Sequence, residues 1–527
     1  LLLGLVLSLT YRLLLPSPLN RIPGPKLYAL TKWRLALDDL RGVRTRRIKH
    51  LHDTYGPVVR IAPNEISFHS LDALHAIYGA GSGFERTPFY AMFDVYGRRN
   101  LFSFPGVRDH AARKRLLNHA YSKSVVLAPP VADVVEAKCA RFLEMVDREA
   151  IPVVECEVFT ALHHFSLDAI TAFLYGPQAH GGTDALGGDA ASRALLDDIL
   201  HPSRRRLTWF AVHLPRVTAW LYSRPPWLER ILTALHTLPM RRPTTYSGIR
   251  AHALRAWQAY EAAPAVEKET ADTTVMARLA NAMNTAGLSG LDVASECADH
   301  LLAGIDTTAD TLMFALYALA LPEHADIQRT LHEEIAAHIS PSTQNNAGGG
   351  DGASPLPVPL RTAASPPYLD AVLRETLRLY APLPASEPRL SPTPTTIAGH
   401  TIPAGTIVSM APYTLHRDPT AFPDPLVFDP SRWLGGPRDR GAESRRWWWA
   451  FSSGARMCIG QHLAMAEMVG LLSAVMARWE VRLGRRMCVG EGVVSPGVTS
   501  RFEVFADEGR EVVREHECWI ELRKKGV

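Results

Sequence analysis

Along the chain the spacing of hydrophobic and polar residues changes repeatedly, and each change marks an element. Residues 1–15, LLLGLVLSLTYRLLL, are apolar almost throughout. As a helix, about 15 residues reach roughly 22 Å, short of the ~30 Å hydrocarbon core of a bilayer. No small-residue cleavage site precedes the proline-rich stretch 16–26, PSPLNRIPGPK, so the run is expected to be an uncleaved membrane anchor followed by a hinge. The chain starts at Leu1 without methionine, and part of the anchor is expected to lie upstream. Arg12, Arg21 and Lys26 place the following body on the cytosolic side.

Next comes GPVVRIAPNEISFHS, where β-branched residues between Gly, Pro and Asn predict a small strand pair. From about Arg108 to Leu321 the periodicity is mainly helical. Its clearest member begins at a Ser289 cap with Asp292 three residues on and ends at Pro322. At roughly 33 residues this helix would run ~50 Å, and the all-round apolar character of its C-terminal half predicts burial. Residues 340–367 are rich in Ser, Gly, Asn and Pro and predict a disordered surface insertion. A helix over YLDAVLRETLRLYAP follows, then short strands. The fold class is therefore mainly α with small β-sheets, with 27–527 as one large domain.

Composition fits that picture: of 527 residues, 47% are hydrophobic and 21% charged, enough for an extensive core. A dispersed net charge of +4 gives no argument for nucleic acid. The six cysteines, Cys139, Cys156, Cys297, Cys458, Cys488 and Cys518, include no CxxC pair and read as reduced thiols.

Two of them sit in near-identical heptapeptides, GARMCIG (454–460) and GRRMCVG (484–490). An amphipathic helical run begins immediately after Cys458, which puts its sulfur at a helix N-terminus, where free N–H groups and the dipole favour a thiolate. Gly454 and Gly460 allow the backbone to turn and approach a flat group. Cys488 lies between the strand-like WEVRL and EGVVSPGVTS, with Val481 where the first copy has Phe451. It reads as an ordinary cysteine.

FSSGARMCIG resembles the FxxGxRxCxG haem signature of the cytochrome P-450 family at every fixed position. ETLR, with Glu375 and Arg378, resembles the family's ExxR; FDPSRW supplies the third member, Arg432; AGIDTT matches its oxygen-activation segment. Singly, each has a plainer reading: ExxR as a solvated helix pair, DTT as a polar patch, WWW (447–449) as core aromatics. Together and in the family's order they cover almost the whole chain.

That resemblance implies haem b with an axial thiolate from Cys458, Phe451 against the ligand, and Gly460 beside it. It implies propionate contacts from Arg456 and Arg389. His110 and Lys114 stand where many members have Trp and Arg. Glu375, Arg378 and Arg432 become a structural charge network. Ala303 and Gly304 leave room for dioxygen, while Asp306 and Thr307 deliver protons during its activation. No flavin, nicotinamide or iron–sulfur fingerprint is present, so electrons are expected from an NADPH-cytochrome P-450 reductase of the endoplasmic reticulum, met by the basic HAARKR and ESRRWWW stretches.

The implied activity is a monooxygenase using O2. A haem-thiolate isomerase or dehydratase and a non-catalytic haem sensor are the alternatives, and Asp306 with Thr307 speaks against both. Segments expected to face the substrate offer few polar anchors beyond His300, Ser386 and Thr499, which predicts an apolar ligand such as a terpenoid or polyketide. The wording of the motifs resembles filamentous-fungal members, many of which serve secondary metabolism.

Overall fold

A computed structural model describes residues 17–147, 153–176, 181–197, 204–222, 225–235, 244–270, 273–339, 356–361, 366–435 and 441–525. The apolar run 1–15 lies outside them. Among the described residues no helix is long and apolar enough to cross a membrane.

The helix Gly290–Ala320 organises the molecule. Its N-terminus is held by a reciprocal capping box: the Ser289 hydroxyl accepts the Asp292 N–H while the Asp292 carboxylate accepts the Ser289 N–H, and Leu321 and Pro322 end the helix as the sequence predicts. From Thr308 to Ala320 every residue is buried. Around it pack the helices Val158–Tyr175, Thr244–Ala262, Pro367–Leu379 and Gln461–Arg478. Two glycines of this helix let its neighbours come close: an added Cβ would stand 2.2 Å from Trp257 at Gly290 and 2.6 Å from Ile170 at Gly304. Gly304 therefore serves helix packing; the expectation that it leaves space for dioxygen is corrected.

A five-stranded sheet runs in the order Val58–Ala62, Glu65–Phe68, Ile407–Ser409, Arg389–Leu390, Glu85–Arg86. The predicted strand pair forms its first two members. Register in the last pair sets Arg86 directly opposite Arg389, a juxtaposition used below. The strand Val153–Glu157 interrupts the helical region and pairs with Trp519–Lys524.

Two segments depart from their sequence reading. In the hinge, Leu19 and Ile22 are buried against the small sheets, and the Arg60 N–H donates to Pro23 O, so these prolines end in packed structure. In the low-complexity stretch 340–367, Leu356, Val358 and Leu360 are buried in the main core and the Leu360 N–H donates to the Glu136 carboxylate. Alternation of Leu and Val with Pro lets an extended segment bury its apolar positions without a regular element; the rest of that stretch, 340–355 and 362–365, lies outside the described residues.

Candidate functional site

Residues 451–460 wrap around Cys458. The Cys458 N–H donates to Phe451 O at 2.9 Å, closing the loop, and both Ser452 and Gly454 adopt left-handed backbone (φ +58° and +63°). At Gly454 a side chain is impossible: its Cβ would lie 2.3 Å from Tyr78 O. Gly460, at φ −80°, caps the helix Gln461–Arg478. The N–H groups of Gly460 and Gln461 point at the sulfur. Cys458 is solvent-accessible although protein surrounds it. Burial raises its thiol, while these N–H groups and Lys114 act in the opposite sense. Phe451 packs edge-on to Trp448 at 5.8 Å.

The implicated cations converge on this loop. Lys114 Nζ donates to Ala455 O and Met457 O, both at 2.9 Å. Arg456 donates to Phe104 O, Pro105 O and Gly106 O at 2.7, 2.8 and 3.0 Å. Arg389 bonds Tyr90 Oη and pairs with Glu387 at 3.0 Å. His110 is pushed down to about 2 by burial and then by Arg456, Arg86, Lys114 and Arg389. Arg86, which sequence reading missed, completes the group, its place set by strand register with Arg389. Its Nε is buried without a hydrogen-bond partner. Burial and neighbouring guanidiniums lower Arg456 to about 9. Because a guanidinium keeps its proton, that lowering registers surplus positive charge. The donor set thus fits the propionate carboxylates of a haem whose iron is held by a thiolate.

Behind the loop, Arg378 makes a two-pronged pair with Glu375 at 2.8 and 2.7 Å, both residues fully buried. Arg432 Nε reaches the same carboxylate at 3.3 Å. Trp433 Nε1 and the Asp429 N–H fill its remaining lone pairs, so the buried charge is compensated on every side. His416 links the network to the loop, bonding Arg378 O through Nδ1 and accepting the Trp449 N–H at Nε2, 2.9 Å. Those partners fix the Nδ1–H tautomer; burial first, then Arg378, keeps the ring neutral. His416 had no motif to announce it.

On the central helix, Ala303, Asp306 and Thr307 form an open stripe between buried neighbours. Thr307 Oγ1 donates to Ala303 O at 2.9 Å. Asp306 Oδ1 stands 3.9 Å from His163 Nε2. His300 is buried against Tyr121 and Glu296, which also binds Arg113. Asp299 instead lines a small recess with Phe93, Val95, Ala298 and Leu302, and burial raises its carboxyl to about 7. Ser386 is buried with its hydroxyl unbonded, and Thr499 pairs with Val504 in a strand ladder.

Of the basic stretches, Arg113 and Lys114 turn inward, leaving Arg115 exposed. Arg446 is exposed beside Glu443.

Cys488 differs throughout. It is exposed on a hairpin edge opposite Val493, with no helix after it.

Comparison with known proteins bears on the whole chain. Residues 23–489 match the family model described as Cytochrome P450. The chain is similar to cytochrome P450 monooxygenase stcB of Emericella nidulans, 28% identical over 92% of this chain and 86% of the relative. N-acetyltryptophan 6-hydroxylase ivoC of the same organism is 27% identical over 99% and 97%. Benzoate 4-monooxygenase bphA of Aspergillus niger is 27% identical over 91% and 92%. With the motifs in family order and the model match across nearly all of the folded body, the chain belongs to the cytochrome P450 family, as a monooxygenase that binds haem b through a cysteine thiolate.

Proposed function

We propose that Cys458 is the haem ligand and that Asp306 and Thr307 manage proton delivery for insertion of one oxygen atom into an apolar organic molecule. The observation that carries this is the cysteine loop: a sulfur at a helix N-terminus, faced by N–H groups and Lys114, with Arg456 of the same loop beside Arg86 and Arg389. When bound there, thiolate-ligated haem supplies the oxygen-activating chemistry. The protein's part is to hold the thiolate, neutralise the propionates and control where protons enter. Glu375, Arg378, Arg432 and His416 keep the loop in place from the proximal side.

The substrate meets mostly apolar walls, with Asp299 and Arg250 as the charged groups of the recess. The relatives named N-acetyltryptophan 6-hydroxylase and benzoate 4-monooxygenase support a small organic substrate, and a role in fungal secondary metabolism accords with the fungal relatives. Electrons come from an NADPH-cytochrome P450 reductase, docked at the basic stretches through the exposed Arg115 and Arg446. Residues 1–15 anchor the protein to the endoplasmic-reticulum membrane with its body in the cytosol. Exposed Trp33, Leu40, Trp220 and Trp227 support a further apolar contact with the same bilayer. Trp209 Nε1, bonded to Ala36 O at 2.7 Å, ties the helix before Trp220 to the N-terminal segment.

The test is the Thr307→Ala holoenzyme with reductase, on a substrate found by product mass spectrometry. NADPH consumption should continue while its electrons appear as hydrogen peroxide and product per NADPH falls sharply. Unchanged coupling would remove Thr307 from the mechanism.

A further inference from the structure

Asp306 does not stand alone. His163, on the facing helix Val158–Tyr175 and only 1% exposed, directs Nδ1 at Phe159 O, 2.8 Å away. A carbonyl oxygen only accepts, so Nδ1 carries the hydrogen and Nε2 is left as an acceptor. That acceptor points between two carboxyls of the central helix: Asp306 Oδ1 at 3.9 Å and Asp310 Oδ1, one turn on, at 3.7 Å. The gaps are too short for a bridging water and exceed a hydrogen bond by under 1 Å, within a side-chain adjustment. Asp310 is buried.

An imidazole acceptor and carboxyl oxygens converging in a buried space are mutually repulsive unless a proton is held among them. We propose that Asp306, His163 and Asp310 form one proton-holding unit behind Thr307, in which His163 Nε2 passes a proton stored on Asp310 to Asp306. The electrostatics agree: burial lowers His163 to about 4, and burial with the nearby Asp306 charge raises Asp310 well above the carboxylate range. The other titratable groups around His163 are Glu157, which caps its helix, the adjacent His164, and His516, stacked on Phe159 at 5.3 Å.

The inference rests on the proposed role of Asp306 and deepens it. Asp306 gives its proton toward Thr307 and becomes a carboxylate. The Asp310 proton then moves to His163 Nε2 and on to Asp306, leaving Asp310 ionised. A solvent proton entering at Asp306, whose side chain is 38% exposed, returns along the same line to refill Asp310. Nothing is oxidised or reduced in these steps. The unit holds a second proton on the buried pair His163 and Asp310, behind the accessible Asp306.

Infrared spectra of the full chain test the store directly. A protonated-carboxyl band should be lost in Asp310→Asn and shifted in His163→Gln; Glu467, also buried, should give a band that neither variant moves. In parallel, NADPH oxidation and peroxide release are measured for the holoenzyme with reductase and dioxygen, in light and heavy water. His163→Gln keeps hydrogen-bonding capacity but cannot take up a proton, and it should slow oxygen turnover about tenfold and enlarge the solvent isotope effect. A purely structural His163 would tolerate this change. No band lost in Asp310→Asn, or normal turnover in His163→Gln, overturns the proposal. If Asp306→Asn alone is impaired, only the store fails; if Asp306→Asn is itself normal, the assigned role of Asp306 fails with it.

Discussion

The two heptapeptides are identical at five of seven positions, yet their backbones already differ. Each forms a short 3-10 turn, Gly454–Arg456 in one and, one position later, Arg485–Met487 in the other, and the left-handed glycine is the first of one copy, Gly454, but the last of the other, Gly490. What surrounds them differs more. Gly454 is wedged against the Tyr78–Gly79 backbone and its counterpart Gly484 against Trp519 and Glu155, whereas the left-handed Gly490 would let an added Cβ meet nothing. Arg456 binds interior carbonyls; Arg486 lies over the Trp519 ring at 4.3 Å on the surface. Local sequence makes the turn, and long-range packing makes the site. A short motif is informative to the extent that distant residues are built to receive it.

The largest separation is expected at the cysteines. Cys458→Ala should abolish the reduced, carbon-monoxide-bound absorption band of thiolate haem, and Cys488→Ala should leave it intact. The reverse outcome would break the comparison altogether.

The glycines come next. Gly454→Ala meets both a left-handed backbone and a carbonyl oxygen with nowhere to move, so several kcal/mol of stability and most bound haem should be lost. Gly490→Ala faces open space and should cost about 1 kcal/mol, the backbone penalty alone. Thermal unfolding and haem content of the two variants check this.

Seen from the sequence, the cysteine loop, ExxR and the long capped helix were all legible, because each is written in adjacent residues: a turn glycine, an i,i+3 pair, a capping box. What escaped came from chain segments far apart. Arg86 joins Arg389 through a strand pairing that links positions 303 apart in number, and His416 finds Trp449 only after folding. Gly304 was assigned to the ligand because a motif named it, yet its missing side chain makes room for Ile170. His300 looked like a substrate anchor for want of knowing that Glu296 and Tyr121 would claim it. Residues 356–360 looked like surface filler because composition averages over the few apolar positions that pack.

The arginines give a third contrast. Arg456→Ala strips charge-assisted bonds from three carbonyls, each worth about 1.5–3 kcal/mol at a buried site. It should weaken haem retention and lower stability together. Arg486→Ala loses an exposed cation–π contact of roughly 0.5–1 kcal/mol and should not touch the haem spectrum. Equal losses in the two variants would mean that the interior role given to Arg456 is mistaken.

The smallest effect concerns a carboxyl downstream of each loop. Glu467, on the helix that starts after Cys458, is buried and bonded to Thr308; burial raises it to about 8. Glu491, after Cys488, is exposed. A carboxyl whose pKa is higher folded than unfolded stabilises the fold most below its unfolded value, near 4.5, and that contribution fades as pH rises toward 8. At pH 7 keeping Glu467 protonated costs on the order of 2–3 kcal/mol. Glu467→Gln keeps the shape and a donor for Thr308 without the ionisation, so it should flatten the decline in stability between pH 5 and 8 and leave the value at pH 4 nearly unchanged. Glu491→Gln should stay within about 0.5 kcal/mol of the parent across that range. Urea unfolding at pH 4, 6 and 8 decides between them, and a pH profile of Glu467→Gln that parallels the parent would show that this buried carboxyl ionises normally.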